Sequence, residues 1–279
     1  MQFDNEFDRA ASFIESADGV LISAGAGMGV DSGLPDFRGD QGFWQAYPAL
    51  ADAGIEFASI ANPYAFVRDP RKAWGFYGHR LRLYRETVPH EGFSILQGIA
   101  AALPSGAFVF TSNVDGQFQK AGFPEHQICE VHGSIHRIQC MEPCRDDIWP
   151  ADYLRPTTDD AACKWLGELP VCVHCRCLAR PNILMFEDWK WVAQRTDIQR
   201  TYMRGWLNSA KTLVVIELGA GPDIPTVRSF SQRQGAPLIR INPRHSVIPE
   251  GAGVSIATGA LAGLHGIQKA LQRRGFLRG

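Results

Sequence analysis

Apolar residues along this chain fall into two rhythms. Short, largely apolar runs at Val20 to Ser23, Ala107 to Phe110, Leu213 to Ile216 and Leu238 to Ile241 have the length and continuity of strands buried on both faces. Ile128 to Val131 and Val254 to Ile256 are weaker runs of the same kind. Between them, apolar positions recur at helical spacing, as in Asn5 to Ser16, Pro225 to Gln234 and Leu261 to Arg274. The alternation predicts an α/β fold on a doubly wound parallel sheet. Each of the four strong runs ends in polar or glycine-rich sequence, where such sheets place their ligand-binding loops.

Two stretches break this rhythm. Residues 41–98 are rich in aromatics and read as helical, with Trp74, Phe76, Tyr77, Leu81 and Tyr84 at mixed helical spacing. Residues 137–190 hold most of the cysteines, several prolines and little periodicity. The expected organisation is a Rossmann-like core drawn from 1–40, 99–136 and 191–279, a helical insertion at 41–98 and a small metal-binding module at 137–190.

The 279 residues suffice for one large domain with smaller insertions. The net charge of −1, from 28 basic and 29 acidic residues, argues against a dedicated nucleic-acid binder. The basic tail from Arg273 to Arg278 is short and reads as a solvated helix end. The first residues, Met-Gln-Phe-Asp-Asn-Glu-Phe-Asp, lack the basic region and apolar core of a signal peptide. No apolar run approaches the ~20 residues of a membrane span. Seven cysteines in clustered spacing without an export signal read as metal ligands rather than disulfides, and a cytoplasmic location is expected.

The most specific chemistry follows the run Val20-Leu21-Ile22. The stretch from Gly25 to Gly39 opens with glycines that let the backbone turn tightly, approach a ligand closely and offer N–H groups to a phosphate. Its continuation, Ser32-Gly33-Leu34-Pro35-Asp36-Phe37-Arg38-Gly39, resembles the nucleotide-binding opening of the sirtuin family, the NAD-dependent protein deacylases. Four more segments agree in the family's order. Thr111-Ser112-Asn113-Val114-Asp115-Gly116 is similar to its Thr-Gln-Asn-Ile-Asp segment, and Glu130-Val131-His132-Gly133-Ser134 to its Glu-Leu-His-Gly-Ser segment. Cys140, Cys144, Cys172 and Cys175 take the positions of its zinc ligands, and Arg180 to Phe186 resembles the segment that follows them. The resemblance runs from about residue 18 to 265.

It implies NAD as co-substrate, one structural zinc ion and an acylated lysine peptide or protein as partner. In the family the acyl-lysine oxygen attacks the nicotinamide ribose and expels nicotinamide. A histidine then deprotonates a ribose hydroxyl, and free lysine and O-acyl-ADP-ribose result. His132 takes the place of that base, a task suited to a side chain with a reference pKa near 6.5. Asn113 and Asp115 match positions that order the ribose and hold the carboxamide, and Phe37 and Arg38 match those lining the nicotinamide side. Ala24, Gly25 and Ala26 would face the diphosphate, joined by Gly219, Ala220 and Gly221 where the family has Gly-Thr-Ser. Asn242 stands where an asparagine meets the adenosine ribose. Asp36, Ser112, Val114 and Ala260 complete the expected cofactor contacts. Ile183, Leu184, Phe186 and Glu187 are expected at the peptide.

The cysteines form a split pair of pairs, Cys140-x3-Cys144 and Cys172-x2-Cys175. Four thiolates satisfy tetrahedral zinc and leave no open position, so the ion should be structural. Cys175 is chosen over Cys177 because Arg180 then stands at the family spacing. Ser112 replaces a glutamine, Gly29 a serine, and Phe186-Glu187-Asp188 stands where the family reads Phe-Gly-Glu. That glycine lets a substrate strand approach closely. Tyr77-Gly78-His79-Arg80 fits the Tyr-x-x-Arg pattern of members that remove acidic acyl groups, where a guanidinium pairs with a carboxylate. The same fold leaves open ADP-ribose transfer, NAD hydrolysis or NAD sensing without catalysis. The retained His132, Asn113 and Asp115 argue against the last.

Overall fold

Six strands pair side by side, all parallel, in the order β11-β10-β9-β1-β2-β3. They are β1 (Gly19–Ala24), β2 (Ala107–Thr111), β3 (Ile128–Glu130), β9 (Leu213–Leu218), β10 (Leu238–Ile241) and β11 (Gly253–Ile256). Every sequence run read as a strand lies in this sheet, with ends displaced by no more than two residues. The structure is a computed structural model and describes residues 4–35 and 39–278.

The sheet is covered on both faces, which is why its central strands read as continuous apolar runs. On one face the helices Asp4–Glu15, Gly92–Ala102 and Ala260–Arg273 supply Ile14, Leu96, Ile99, Leu264 and Ile267 against Val20, Ile22, Val109 and Ile216. On the other, Met203 and Trp206 from Gln194–Ser209 and Phe230 from Thr226–Arg233 meet Leu21, Phe108, Phe110 and Val215. The stacked rings of Phe110 and Phe230 lie 3.7 Å apart. Glu217 and Arg240 stand in register on β9 and β10 and pair through Nε at 2.5 Å and Nη2 at 3.1 Å, both fully buried.

Strand order reverses at β1. The chain builds outward through β2 and β3, then returns to β1's other side with β9, β10 and β11. The loops after β1 and β9 therefore diverge into the crevice where α/β sheets bind ligands. Their backbones touch closely: the Gly27 amide donates to the Gly219 carbonyl at 3.0 Å. A Cβ on Gly219, whose φ is +60°, would lie 2.4 Å from the Gly27 backbone. Only glycine meets both demands.

Two further bodies share one core beside the carboxyl ends of the strands. One is a set of helices between residues 39 and 86, the longest being Pro70–Glu86, which starts at an Asp69 cap and a proline in its first turn. The other is built on β4 (Gly133–Cys140), β5 (Ile148–Pro150) and β8 (Ala179–Ile183), an antiparallel sheet ordered β5-β4-β8, with the small hairpin β6 (Thr158–Asp159) and β7 (Lys164–Trp165). Phe66, Trp74, Phe76 and Tyr77 from the helices join Ile135, Ile138, Trp165 and Ile183 from the strands. Trp74 Nε1 donates to the Ala179 carbonyl at 2.9 Å across that boundary. The helix Gly92–Ala102 crosses the expected boundary at residue 98, and it packs on the parallel sheet. Among the described residues no helix is long and apolar enough to cross a membrane.

Candidate active site and metal centre

A cavity of about 370 Å³ runs from the crevice at β1 and β9 into the space under the helices. It is lined by Gly25, Ala26, Gly219, Ala220 and Gly221 from the loops after β1 and β9, by Ser112, Asn113, Val114, Asp115 and His132 from the segments after β2 and β3, and by Tyr77, Arg80 and Tyr84 from the helix Pro70–Glu86. Ile183, Leu184, Met185 and Phe186 close one side.

The loop after β2 is tied to the loop after β1. Thr111 Oγ1 donates to the Ala24 carbonyl and accepts from the Asn113 amide, both at 3.0 Å, and Asn113 Nδ2 donates to the Gly25 carbonyl at 3.0 Å. Asp115 is 8% exposed and accepts the Gln117 amide at 2.9 Å. Burial raises its carboxyl to a pKa of about 6, with nearby Glu130 adding to the shift and Arg80 opposing it. A carboxylate kept in a cavity against that cost is a candidate functional group.

His132 stands two residues past the end of β3. Burial lowers its pKa below the usual 6.5, outweighing the opposing influence of the Ser112 backbone, so the imidazole is neutral at pH 7. The next residue, Gly133, has φ +77° and its Cβ would lie 2.1 Å from the Asn182 carbonyl oxygen, so the histidine-glycine step is fixed by backbone crowding. The Leu184 amide donates to the His132 carbonyl at 2.9 Å, which holds the 183–186 segment alongside the imidazole. Glu130 anchors the base of the segment. It is 1% exposed, accepts Arg195 Nη2 at 2.5 Å, and its carbonyl takes Thr196 Oγ1 at 3.0 Å.

Away from the cavity, the Sγ atoms of Cys140, Cys144, Cys172 and Cys175 all lie within 4.8 Å of one another, with Cys140–Cys175 at 3.6 Å and Cys144–Cys172 at 3.7 Å. A tetrahedron of sulfurs with metal bonds of about 2.3 Å has edges of about 3.8 Å, so the set fits zinc and leaves no open position. Cys140 ends β4, and Cys172 and Cys175 sit in a turn closed by the Val171–Leu178 bridge and the Cys172 amide on the Cys177 carbonyl. Cys177 stands outside the cluster, as do Cys129 and Cys163.

The Sir2 family profile matches residues 25–217, well over half of the chain. This chain belongs to the Sir2 family. An NAD-dependent protein deacylase of Aquifex aeolicus is 27% identical over 262 residues, covering 91% of this chain and 96% of the relative. One of Pyrococcus furiosus is 32% identical over 176 residues, 61% of each chain. Among solved structures, a Sir2 homologue mutant in complex with ADP-ribose superposes with a TM-score of 0.72 at 21% identity, covering 96% of this chain and 98% of that one. A Sir2 homologue in complex with NAD gives 0.68 at 20%, covering 96% and 94%. At those identities the structural likeness speaks for the fold.

Most of the residues that the Sir2 resemblance nominates converge on the one cavity, and four stand outside its lining. Ala24 is buried at the end of β1, its carbonyl taken by Thr111 and Ser112. Ala260 is 3% exposed at the start of the last helix. Asn242 is fully buried. It donates to the Ala220 carbonyl at 3.0 Å and accepts the Arg244 and His245 amides, so its side chain holds the Gly219–Gly221 loop rather than facing the cavity. Glu187 lies at the exposed rim. Asp36, Phe37 and Arg38 lie outside the described residues.

Sequence reasoning missed Tyr84, Asp223, Ile224 and Val227 in the lining. It also missed Asp188, whose fully buried carboxylate pairs with Arg180 at 2.8 Å and pins the turn after Phe186. Tyr84 carried a signal, since it falls seven residues after Tyr77 on a helix, the same face two turns on. Glu187 has φ +55°, the left-handed region, and accepts Asn62 Nδ2 at 3.2 Å. A glycine would adopt this backbone without strain. Glu187→Gly should relieve the glutamate's strain, offset by greater chain entropy, for a net stabilisation of up to about 1 kcal/mol. A raised urea midpoint would register this; a lowered one would mean that the Asn62 contact outweighs the strain.

Proposed function

We propose that this chain is an NAD-dependent protein lysine deacylase, with His132 as general base. The observation carrying this reading is a neutral imidazole in the same cavity as Asn113, Asp115 and the glycine loops of β1 and β9. The residues fit NAD. Gly221 has nothing within 4 Å of an added Cβ, which leaves an open backbone edge beside the tight Gly25–Gly219 contact for a diphosphate. Bound NAD supplies a ribose whose bond to nicotinamide breaks and whose hydroxyl takes up the acyl group.

The chain's own residues do the positioning. Asn113, fixed by its bond to Gly25, orients the ribose, and the ionised Asp115 accepts a hydrogen bond from the carboxamide. His132, kept neutral by burial, takes the ribose hydroxyl proton on a ring nitrogen. The peptide lies along Ile183 to Glu187, and its acyl chain reaches toward Tyr77 and Arg80. Those two side chains give acidic acyl groups a cationic end to the cavity.

Mass spectrometry with NAD and lysine peptides bearing acetyl, succinyl and longer acyl groups tests this. O-acyl-ADP-ribose formed in step with free lysine peptide is expected. Nicotinamide released without peptide deacylation would instead assign ADP-ribose transfer or NAD hydrolysis.

A further inference from the structure

The helix Pro70–Glu86 brings Tyr77, Arg80 and Tyr84 to the cavity at spacings of three and four residues. Arg80 is 7% exposed. Its guanidinium carbon stands 5.1 Å from the ring centroid of Phe76, 5.9 Å from Tyr77 and 5.3 Å from Tyr84. Its Nε and Nη2 both donate to the Tyr84 hydroxyl oxygen, at 2.9 and 2.7 Å. A guanidinium grips a carboxylate through one of two forked edges, Nε with Nη2 or Nη1 with Nη2. Here a neutral hydroxyl sits across the first of them.

We propose that Tyr84 sets acyl selectivity by competing with an acyl carboxylate for the Nε–Nη2 edge of Arg80, so that the cavity serves neutral acyl chains as well as acidic ones. The inference rests on the deacylase reading above. A buried cation facing a neutral acyl chain is costly unless something else solvates it. The Tyr84 hydroxyl and three ring faces do so, and Asp115 in the same cavity feels the Arg80 charge. An acidic acyl chain must displace two charge-assisted bonds to use that edge. Tyr84 is therefore a positioning residue, acting through Arg80.

Calorimetric affinities of acetyl-lysine and succinyl-lysine peptides, taken without NAD, read the pocket apart from turnover. Tyr84→Phe keeps the ring and removes the hydroxyl. It should raise the preference for succinyl over acetyl about tenfold, the scale of a hydrogen bond to a charged group. Tyr84→Met, which also lacks the hydroxyl, must move the preference the same way. In an Arg80→Gln background the Tyr84 substitution should leave the preference unchanged, an outcome that a general loss of packing would not produce. An unchanged or lowered preference in the single variants overturns the proposal. Turnover with NAD is measured in parallel. A wild type that binds the peptides but never deacylates them overturns the deacylase reading and leaves Tyr84 to be judged by the affinities. One that binds neither peptide overturns both.

Discussion

His132→Ala should cut deacylation by at least ~100-fold while NAD remains bound. The size follows from the environment. A base exposed to solvent could be replaced by water, but this imidazole is buried enough for desolvation to lower its pKa, and its backbone carbonyl is held by the Leu184 amide. The shift also gives a sign. Protonated histidine cannot accept the ribose proton, so activity is full where His132 is neutral and falls as pH drops through a value below 6.5. Asp115, raised to about 6, loses its charge over the same range and steepens that acid limb. Turnover against pH, with NAD affinity measured by calorimetry, tests both claims. An acid limb centred well above 6.5, or unchanged turnover in His132→Ala, would remove His132 from the base role.

How far sequence could reach is clearest at β1 and β9. Their runs of apolar residues are buried on both faces, so burial and sequence carry the same information, and the glycine loops beyond them are legible because only glycine tolerates the Gly219 geometry. His132, Asn113 and Asp115 were reached through motif resemblance, and the cavity does gather them. Asn242 shows the limit. A motif marks a position near the ligand, but whether its side chain faces the ligand or braces the loop depends on its neighbours in space, here the Ala220 carbonyl from the loop after β9 as well as the nearby His245 amide. The shared core of the helices and the cysteine module was equally hidden. Trp74 against Trp165 and Trp74 Nε1 on the Ala179 carbonyl are contacts between segments some ninety or more residues apart, which no local periodicity encodes. The left-handed backbone at Glu187 is signalled only by the resemblance, which has glycine at this position, because the glutamate itself carries no local sign of a positive φ.

Removing one cysteine of the cluster should be as damaging to activity as removing the base, by another route. The cysteine module has few means of holding itself together, since β5, β6 and β7 span only two or three residues each. Zinc links Cys140 at the end of β4 to the turn carrying Cys172 and Cys175, and β8 leaves that turn for the cavity wall at Ile183. Apparent zinc-binding free energies of about 10–16 kcal/mol in small structural sites match or exceed the ~5–15 kcal/mol that stabilises a typical domain. Cys172→Ala should therefore abolish stoichiometric zinc, release the module and lower activity by orders of magnitude. The parallel sheet, with its own core on both faces, should stay folded. Cys177→Ser is the matched control: its residue lies outside the cluster, so it should keep one zinc per chain and near-normal activity. Elemental analysis beside circular dichroism separates these outcomes. Zinc lost in Cys177→Ser but retained in Cys175→Ser would exchange the fourth ligand, and full activity in a zinc-depleted protein would show that β8 and the Arg180–Asp188 pair hold the cavity wall without the metal.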